Sequence, residues 1–403
     1  MEFYKYIILG AGAAGLSCAN ALYDAGERSF IVVEKERQAG GLCRSENVDG
    51  FPLDIGGGHF LDTRRPKVNQ FLFRFMPESE WSLFCRDSRI EIDGSVIGYP
   101  FEANIWQLPQ ELQIAYLKSV AYAGCNIGAS KPEMFTDWIR WKLGDLICER
   151  YMIPYNTKLY GKELDCLGTY WMEKLPDVSF DEIMLSCLNK RPYGQLPGHA
   201  KFYYPKKYGY GELWLRMADA ISSHIKYNAS VETIDFDRTL VKLSDGSSYQ
   251  AECIITTVPW TSVTEYIGMP SSLEESIKTL KYTSINITYI PEDLETSAHW
   301  IYYPDLSLPY HRILVRSNFC QGSKGYWTET NSERYQDQGN ISYYNEYAYP
   351  LNTTAKPDTM NRLLKWSRER SVIGLGRFGE WQHYNSDVVV ERALQLVEEL
   401  MNE

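Results

Sequence analysis

The 403-residue sequence lacks the features of a membrane, metal or nucleic-acid-binding protein. No apolar run is long enough to span a bilayer, so we expect no transmembrane helix. The nine cysteines contain no C-x-x-C pair and the six histidines show no ligand spacing, so we expect no metal site. A net charge of −11 and the lack of a basic run argue against nucleic-acid and membrane-surface partners.

An odd number of cysteines without a pairing framework is typical of reduced thiols in a cytoplasmic protein. The first 22 residues lack a basic stretch and a cleavage site, so we expect no export signal. The length favours more than one domain. An aromatic content of 14% is high, and Tyr and Trp at this level line pockets for planar or sugar-like ligands as well as cores.

The first 34 residues have the pattern of one strand–turn–helix–strand unit. A short apolar run precedes Gly10-Ala-Gly-Ala-Ala-Gly15, helical spacing follows, and a second apolar run ends at Glu34. Gly10 permits a tight turn, Gly12 lets the backbone approach a pyrophosphate, and Gly15 lets the helix pack close to the strand. Glu34 is placed to accept hydrogen bonds from a ribose diol. This unit predicts a bound dinucleotide, NAD or FAD; a glycine-rich turn without a nucleotide is the alternative.

Motifs further along the chain distinguish FAD from NAD. The motifs are Glu34-Lys-Glu-Arg-Gln-Ala-Gly-Gly-Leu-Cys-Arg44, Asp54-Ile-Gly-Gly-Gly-His59 and Gly374-Leu-Gly-Arg377. Together they resemble the FAD fingerprint of the amine oxidase and protoporphyrinogen oxidase superfamily, which implies FAD as the cofactor. The implied cofactor-binding residues are Gly10, Gly12, Ala14, Gly15, Glu34, Lys35, Gly41, Leu42, Arg44, Gly57, Gly58, His59, Val231, Gly376 and Arg377.

The fold class expected from this resemblance is α/β, with a discontinuous Rossmann-like FAD-binding domain, an inserted helical cap and a β-sheet substrate layer. We assign 1–75, 200–260 and 365–403 to the FAD-binding domain. Helical periodicity indicates a largely helical domain at 76–199, and Thr, Tyr, Ile and Val enrichment indicates a β-rich substrate domain at 261–364. Strand carboxyl ends should bring Gly10–Gly15 and Gly376 around one crevice.

Within this superfamily the chain most resembles the UDP-galactopyranose mutases. The motifs that carry the resemblance are Gly57-Gly-His59, Gly98-Tyr-Pro-Phe-Glu-Ala-Asn-Ile105, Tyr151-Met-Ile-Pro-Tyr-Asn-Thr-Lys158, Tyr204-Pro-Lys-Lys-Tyr-Gly-Tyr-Gly211, Trp300-Ile-Tyr-Tyr-Pro304, Tyr310-His-Arg312 and Gly376-Arg-Phe-Gly-Glu-Trp381. In that family N5 of the reduced flavin attacks the anomeric carbon of a nucleotide-linked sugar. The resemblance therefore implies a pyranose–furanose mutase acting on a nucleotide sugar, with NAD(P)H as a candidate reductant.

The same resemblance supplies the site residues. His59 matches a histidine beside the flavin, with a buried structural histidine as the alternative. Arg312 matches an arginine that clamps the substrate diphosphate, with a surface arginine as the alternative. The other implied catalytic residues are Tyr302, Lys174, one of Tyr347 or Tyr349, and His383. The implied nucleotide-binding residues are Tyr99, Phe101, Glu102, Asn156 and Tyr160.

Some of these residues depart from the family pattern. Lys174 stands in place of a second phosphate-clamping arginine and His383 in place of a diphosphate-binding tyrosine. Glu102 replaces an amide at the nucleobase, where an acid donates only when protonated. Tyr160 stands in place of a stacking tryptophan, and an extra glycine precedes His59. These departures leave a nucleotide other than UDP open.

Two other functions remain open from the sequence. A net oxidoreductase of the amine oxidase or protoporphyrinogen oxidase type would use the same FAD residues. A flavin-binding scaffold without turnover would explain the altered clamp at Lys174 and His383. The middle helices offer a surface for a homo-oligomer.

Overall fold

The structure is a computed structural model that describes residues 2–172, 177–194 and 200–402. Its helices, α1 to α11, are Ala13–Asp24, Pro66–Leu72, Gln110–Ala121, Phe135–Ile147, Ile153–Tyr160, Phe180–Asn189, Gly211–Asp219, Ser271–Lys278, Lys356–Arg368, Gly376–Gly379 and Ser386–Asn402. Its strands, β1 to β20, are Glu2–Leu9, Phe30–Val33, Ser45–Val48, Phe51–Asp54, Leu61–Asp62, Trp81–Cys85, Ser88–Ile92, Ser95–Gly98, Lys201–Pro205, Ile225–Lys226, Val231–Asp235, Leu240–Leu243, Ser248–Thr256, Glu265–Ile267, Tyr282–Ile290, Trp300–Tyr302, Arg312–Val315, Tyr326–Asn331, Ser342–Pro350 and Val372–Gly374.

An eight-stranded sheet contains the amino-terminal strand–turn–helix–strand unit. Its order is β10-β2-β1-β13-β12-β11-β14, and β20 pairs with the carboxyl half of β13. The strands β10, β2, β1, β13 and β20 run parallel, because helical crossovers connect them. The four residues of β2 are all buried, as expected of a strand covered on both faces. The α/β fold with a Rossmann-like unit at the amino terminus is confirmed.

A second large sheet has seven strands. Its order is β19-β15-β18-β17-β16-β7-β8, and its pairs are antiparallel except for β16 with β7. Strands β7 and β8 belong to this sheet, although their residues lie in the segment for which we expected mainly helices. Strand β14 joins the first sheet, although it lies in the expected substrate segment. The division into three domains itself remains a prediction.

Local sequence signals account for several elements. The Ser244-Asp-Gly-Ser turn connects the antiparallel strands β12 and β13, and Gly246 has a φ of +83°. Ser179 caps α6 with a reciprocal bond to Glu182, so the helix begins at the next residue. No helix within the described residues is long and apolar enough to cross a membrane.

Aromatic side chains fill the space between the second sheet and the small three-stranded sheet β5-β9-β6. The Phe60 ring lies at the centre of this cluster, with ring centroids 4.6 Å from both Phe202 and Trp300 and 5.5 Å from Phe319. All three pairs are edge-to-face, which is a favoured geometry for aromatic contacts. Much of the high aromatic content is therefore core that supports one wall of the cleft described next.

Candidate functional site

The glycine-rich turn after β1 has no room for side chains. A Cβ built on Gly15 would lie 1.9 Å from the Gly10 carbonyl oxygen, so α1 packs directly against the turn. A Cβ on Gly12 would meet only the Gly41 Cα atom, at 3.8 Å. No protein atom therefore requires a glycine at position 12. The missing side chain instead leaves an open surface for an external group. The amino end of α1 opens on that surface and presents its free N–H groups to an anion.

Two other glycine segments meet this turn. The Gly40 amide donates to the Ala11 carbonyl oxygen at 2.8 Å, which holds Gly40 and Gly41 beside Gly12. Gly376 has a φ of +79°, and a Cβ there would lie 2.7 Å from the Ala14 Cβ atom. The carboxyl ends of β1, β13 and β20 thus form one glycine-lined crevice. The expectation that Gly376 and the first turn share a crevice is confirmed by this geometry.

Glu34 closes the far end of the crevice. Its carboxylate accepts hydrogen bonds from the backbone amides of Ala11 at 2.7 Å and Glu36 at 2.9 Å. Burial raises the pKa of Glu34, while these two amides oppose the shift. The Ala229 amide donates to the Glu34 carbonyl oxygen at 3.0 Å, so the chain leading to Val231 crosses beside Glu34. This is the position expected for a ribose and the adjoining base.

The other residues of the segment from Glu34 to Arg44 differ in their contacts. The Arg44 side chain folds back towards the glycine turn, and its Nε donates to the Gly41 carbonyl oxygen at 2.9 Å. The carbonyl oxygen of Leu42 lies 1.9 Å from where a Gly56 Cβ would stand, so the backbone here fixes the 56–58 loop. Lys35 lies on the surface, 3.9 Å from the Glu36 carboxylate.

A cavity of about 210 Å³ opens next to this crevice. Gly57, Gly58 and His59 line one side and the strands of the second sheet line the other. His59 Nδ1 lies 2.9 Å from the Gly57 carbonyl oxygen, and its ring stacks on Tyr210 with centroids 6.3 Å apart. Burial, reinforced by Arg377, lowers the pKa of His59 to about 4. His59 is therefore neutral at pH 7, with one ring nitrogen able to accept a hydrogen bond.

A buried carboxylate, Glu329, organises the opposite wall. Arg312 Nε donates to Oε2 of Glu329 at 2.8 Å, and the Tyr349 hydroxyl donates to Oε1 at 2.5 Å. His311 Nε2 lies 3.3 Å from the same Oε1 atom. Burial would raise the pKa of Glu329, but the charge of Arg312 and the contact with His311 hold it below its usual value. The ionised carboxylate fixes Arg312 and Tyr349 at the mouth of the cavity.

Arginine side chains also lie at both ends of this wall. Arg86 Nη2 donates to the Tyr302 hydroxyl at 2.8 Å, which fixes Tyr302 in the cavity lining. Arg377 donates to the carbonyl oxygens of Ala348 at 2.9 Å and Tyr384 at 3.0 Å. Burial lowers the pKa of Arg377 from its usual value. Three of the described residues that line the cavity therefore carry guanidinium groups, and buried Glu329 pairs with one of them, Arg312.

The two candidate tyrosines on β19 occupy different places. Tyr349 lines the cavity, and its ring centroid lies 5.0 Å from that of His383. Tyr347 packs against Tyr282, with centroids 4.3 Å apart, because β19 bulges between its pairings with β15. The structure thus favours Tyr349 of the pair. Lys174 lies outside the described residues.

A second cavity of about 330 Å³ continues from the first. The five residues predicted to hold a nucleotide all line it, namely Tyr99, Phe101, Glu102, Asn156 and Tyr160. Phe101 is fully buried and stacks on Tyr151 with centroids 5.4 Å apart. Asn156 Nδ2 donates to the Met152 carbonyl oxygen at 2.7 Å. Both cavities share the lining residues Tyr155, Leu159, Tyr302, Arg312, His383 and Asn385.

Sequence reasoning missed Glu329, Arg86 and His311 as parts of this site. The Tyr310-His-Arg312 motif contained His311, but its contact with Glu329 depends on strand pairing. Arg312 and Glu329 are direct partners in the β17–β18 ladder, and no local sequence motif predicts that register. Within the described residues, no group of three or more His, Cys, Asp or Glu could hold a metal ion.

The fold and the site can now be compared with known proteins. A reduced UDP-galactopyranose mutase superimposes with a TM-score of 0.91 at 20% identity, covering 99% of this chain and 94% of that chain. A protein from Exiguobacterium sp. 255-15 described as a protoporphyrinogen oxidase superimposes with a TM-score of 0.71 at 14% identity, covering 100% of this chain and 99% of that chain. Putrescine oxidase bound to putrescine gives 0.65 at 14% identity, covering 100% and 99%. This chain therefore has the fold that these proteins share.

Sequence comparisons cover less of the chain. Residues 8–75 match the NAD(P)-binding Rossmann-like domain family. A 52-residue stretch is 48% identical to an uncharacterised protein from the nifH2 3′ region of Methanothermococcus thermolithotrophicus. That stretch is 13% of this chain and 49%, about half, of the relative's length. At these identities and coverages the matches show the fold and do not define the reaction.

Proposed function

We propose that this chain is an FAD-dependent mutase that interconverts the pyranose and furanose forms of a nucleotide-linked hexose. The observation that carries the proposal is the continuity of the two cavities, which share Tyr302 and Arg312 at their junction. A nucleotide sugar has three parts, and each has a matching region. The sugar lies by His59, the diphosphate at Arg312, and the base in the aromatic cavity.

The crevice residues fit FAD. Gly12 and Gly41 leave room for a pyrophosphate against the start of α1, and Glu34 stands where a ribose diol would lie. The flavin ring would then extend toward His59 and Arg377, which line the first cavity. When bound and reduced, FAD supplies a nucleophilic nitrogen to the anomeric carbon of the sugar. The protein needs no serine or cysteine nucleophile for such a reaction.

The protein side chains position and neutralise the substrate. Arg312 is held by Glu329, so its remaining N–H groups meet the diphosphate without reorganising. Tyr302 is held by Arg86 in the same way. Neutral His59 can accept a hydrogen bond at the flavin edge, because the low pKa caused by its burial keeps it uncharged at pH 7. We assign these residues to binding and orientation, and Lys174 remains a proposed diphosphate contact.

The direct test is product formation. Reduced, FAD-loaded protein is incubated with UDP- and dTDP-galactopyranose, and the nucleotide sugars are separated by chromatography and identified by NMR. We expect a furanose product with the reduced protein and none with the oxidised protein. Absence of furanose from every nucleotide sugar offered would refute the mutase.

A net oxidoreductase is the second candidate, favoured by the fold shared with putrescine oxidase. The two proposals differ in what reduces the flavin. Stopped-flow absorbance at the flavin band would show bleaching by an amine or porphyrinogen substrate without NAD(P)H if the chain is an oxidase. The mutase instead needs an external reductant and returns the flavin unchanged after each turnover.

A further inference from the structure

The second cavity has a wall chemistry suited to a flat heterocycle. Its lining is mainly aromatic, including Tyr99, Phe101, Trp138, Tyr151 and Trp171. Aromatic walls contact both faces of a planar ring. Few groups then remain to form hydrogen bonds with the polar atoms at the edge of the ring. Selectivity for one ring over another must therefore come from the polar side chains among them.

Glu102 is the acidic side chain among the described residues that line this cavity. It begins the short 3-10 turn after β8 and is 7% exposed. The charged groups facing it are Lys142 on α4 and Asp177 ahead of α6, and these two pair with each other. Tyr99 and Tyr151 face it from the remaining sides. Within the described residues, no cation forms an ion pair with Glu102 that would hold it ionised.

We propose that Glu102 recognises a uracil- or thymine-type base in its protonated form. The carboxyl C=O accepts from the ring N–H, and the carboxyl O–H donates to the neighbouring ring carbonyl. A protonated carboxyl offers one acceptor and one donor side by side, which is the pattern of a side-chain amide. This inference rests on the proposed function, because it assumes a nucleotide whose diphosphate lies at Arg312.

The ionised form would have a different preference. A carboxylate has acceptors only, so one of its oxygens would face a ring carbonyl and repel it. It would suit a base edge with two donors, as in guanine. Burial raises the pKa of Glu102 to about 7. Affinity for a uracil nucleotide should therefore fall as the pH rises through neutrality, since the neutral fraction drops about tenfold between pH 6 and 8.

The test measures binding without turnover. Oxidised, FAD-loaded protein is titrated with UDP-galactose at pH 6 and pH 8 by calorimetry, because a diphosphate esterified at both ends keeps its charge over this range. We expect wild-type affinity to fall about tenfold from pH 6 to pH 8. Glu102→Gln should keep the pH 6 affinity at both pH values. Glu111→Gln, a matched change on the exposed face of α3, should behave like the wild type.

The comparison of variants isolates the contribution of Glu102 from every other effect of pH on binding. If Glu102→Gln loses affinity with pH as steeply as the wild type, the inference is wrong. If UDP-galactose binds the wild type more tightly as the pH rises, the ionised form of Glu102 makes the contact and the inference is also wrong. If no nucleotide sugar binds either protein at either pH, the proposed function fails instead, so the two failures are distinguishable.

Discussion

The Tyr349 hydroxyl donates to Oε1 of Glu329 at 2.5 Å, on a carboxylate that is 0% exposed. The other oxygen of Glu329 accepts from Arg312 at 2.8 Å. One ionised group thus orients both side chains proposed to meet the substrate diphosphate. A buried charge costs several kcal/mol unless it is paired, so removing one member of this group should destabilise the position of the others.

Removing this charge should destabilise the protein in a pH-dependent way. The folded pKa of Glu329 lies below its ordinary value of 4.5, so its ion pairing stabilises the fold above that pH. This stabilisation is lost as the pH falls through the lower folded pKa. We expect Glu329→Gln to lower the free energy of unfolding at pH 7 by about 3 kcal/mol. Urea unfolding measures this effect.

The pH profile provides the check on that prediction. Below pH 4.5 the difference between wild type and Glu329→Gln should shrink, because the unfolded wild-type chain then takes up a proton on Glu329 that the folded protein does not. A difference that stays constant from pH 7 to pH 3 would show that the loss at pH 7 does not come from the charge.

The two tyrosines of β19 provide a matched pair for activity. Tyr349→Phe removes a hydroxyl that bonds both Glu329 and Arg312, so we expect kcat/KM to fall by about 10- to 30-fold. Tyr347→Phe removes a hydroxyl whose contact with Thr261 is 3.4 Å long, and kcat/KM should change less than about twofold. Steady-state kinetics on the furanose-forming reaction decide it. Equal losses in the two variants would contradict the assignment of Tyr349.

Gly376 should be required for the cofactor crevice. Gly376→Ala places a Cβ 2.7 Å from the Ala14 Cβ atom at a φ of +79°. We expect the purified variant to carry less than about a tenth of the wild-type flavin, because the displaced turn costs more than about 1.4 kcal/mol of binding. Gly246→Ala has a similar φ of +83° with no atom within 4 Å. It bears the same backbone strain and should keep its flavin, as measured by absorbance per chain.

The amino-terminal unit of the first sheet could be predicted from local sequence because its signals are local. Residues 2–34 contain a strand, turn, helix and strand in one short segment, and Gly15 there packs against the carbonyl oxygen of nearby Gly10. The hairpin at Gly246 and the terminal helix α11 are similar cases. Strands β7 and β8 were less predictable, since β7 joins the sheet by pairing with β16, more than 200 residues later, and β8 joins it only through β7.

The candidate site depends on the second sheet and was only partly predictable. Arg312 could be identified from its motif, but Glu329 could not, because 17 residues separate them and only the ladder brings them together. Tyr347 and Tyr349 alternate along β19 in such a way that a regular strand would place both on the same face of the sheet. The bulge in β19 determines that Tyr349 is the one that lines the cavity. Glu102 was identified by its motif, while its burial among aromatic rings follows from tertiary packing.

The flavin content of Gly12→Ala tests the central claim most directly. Gly12 has a φ of −80°, and an added Cβ would meet only the Gly41 Cα atom at 3.8 Å, so the apoprotein should fold as the wild type does. We predict that the wild type binds one FAD per chain and that Gly12→Ala loses affinity for FAD by at least about tenfold, with unchanged circular dichroism. Wild-type protein that takes up no flavin, or a variant that binds it equally well, would contradict the account.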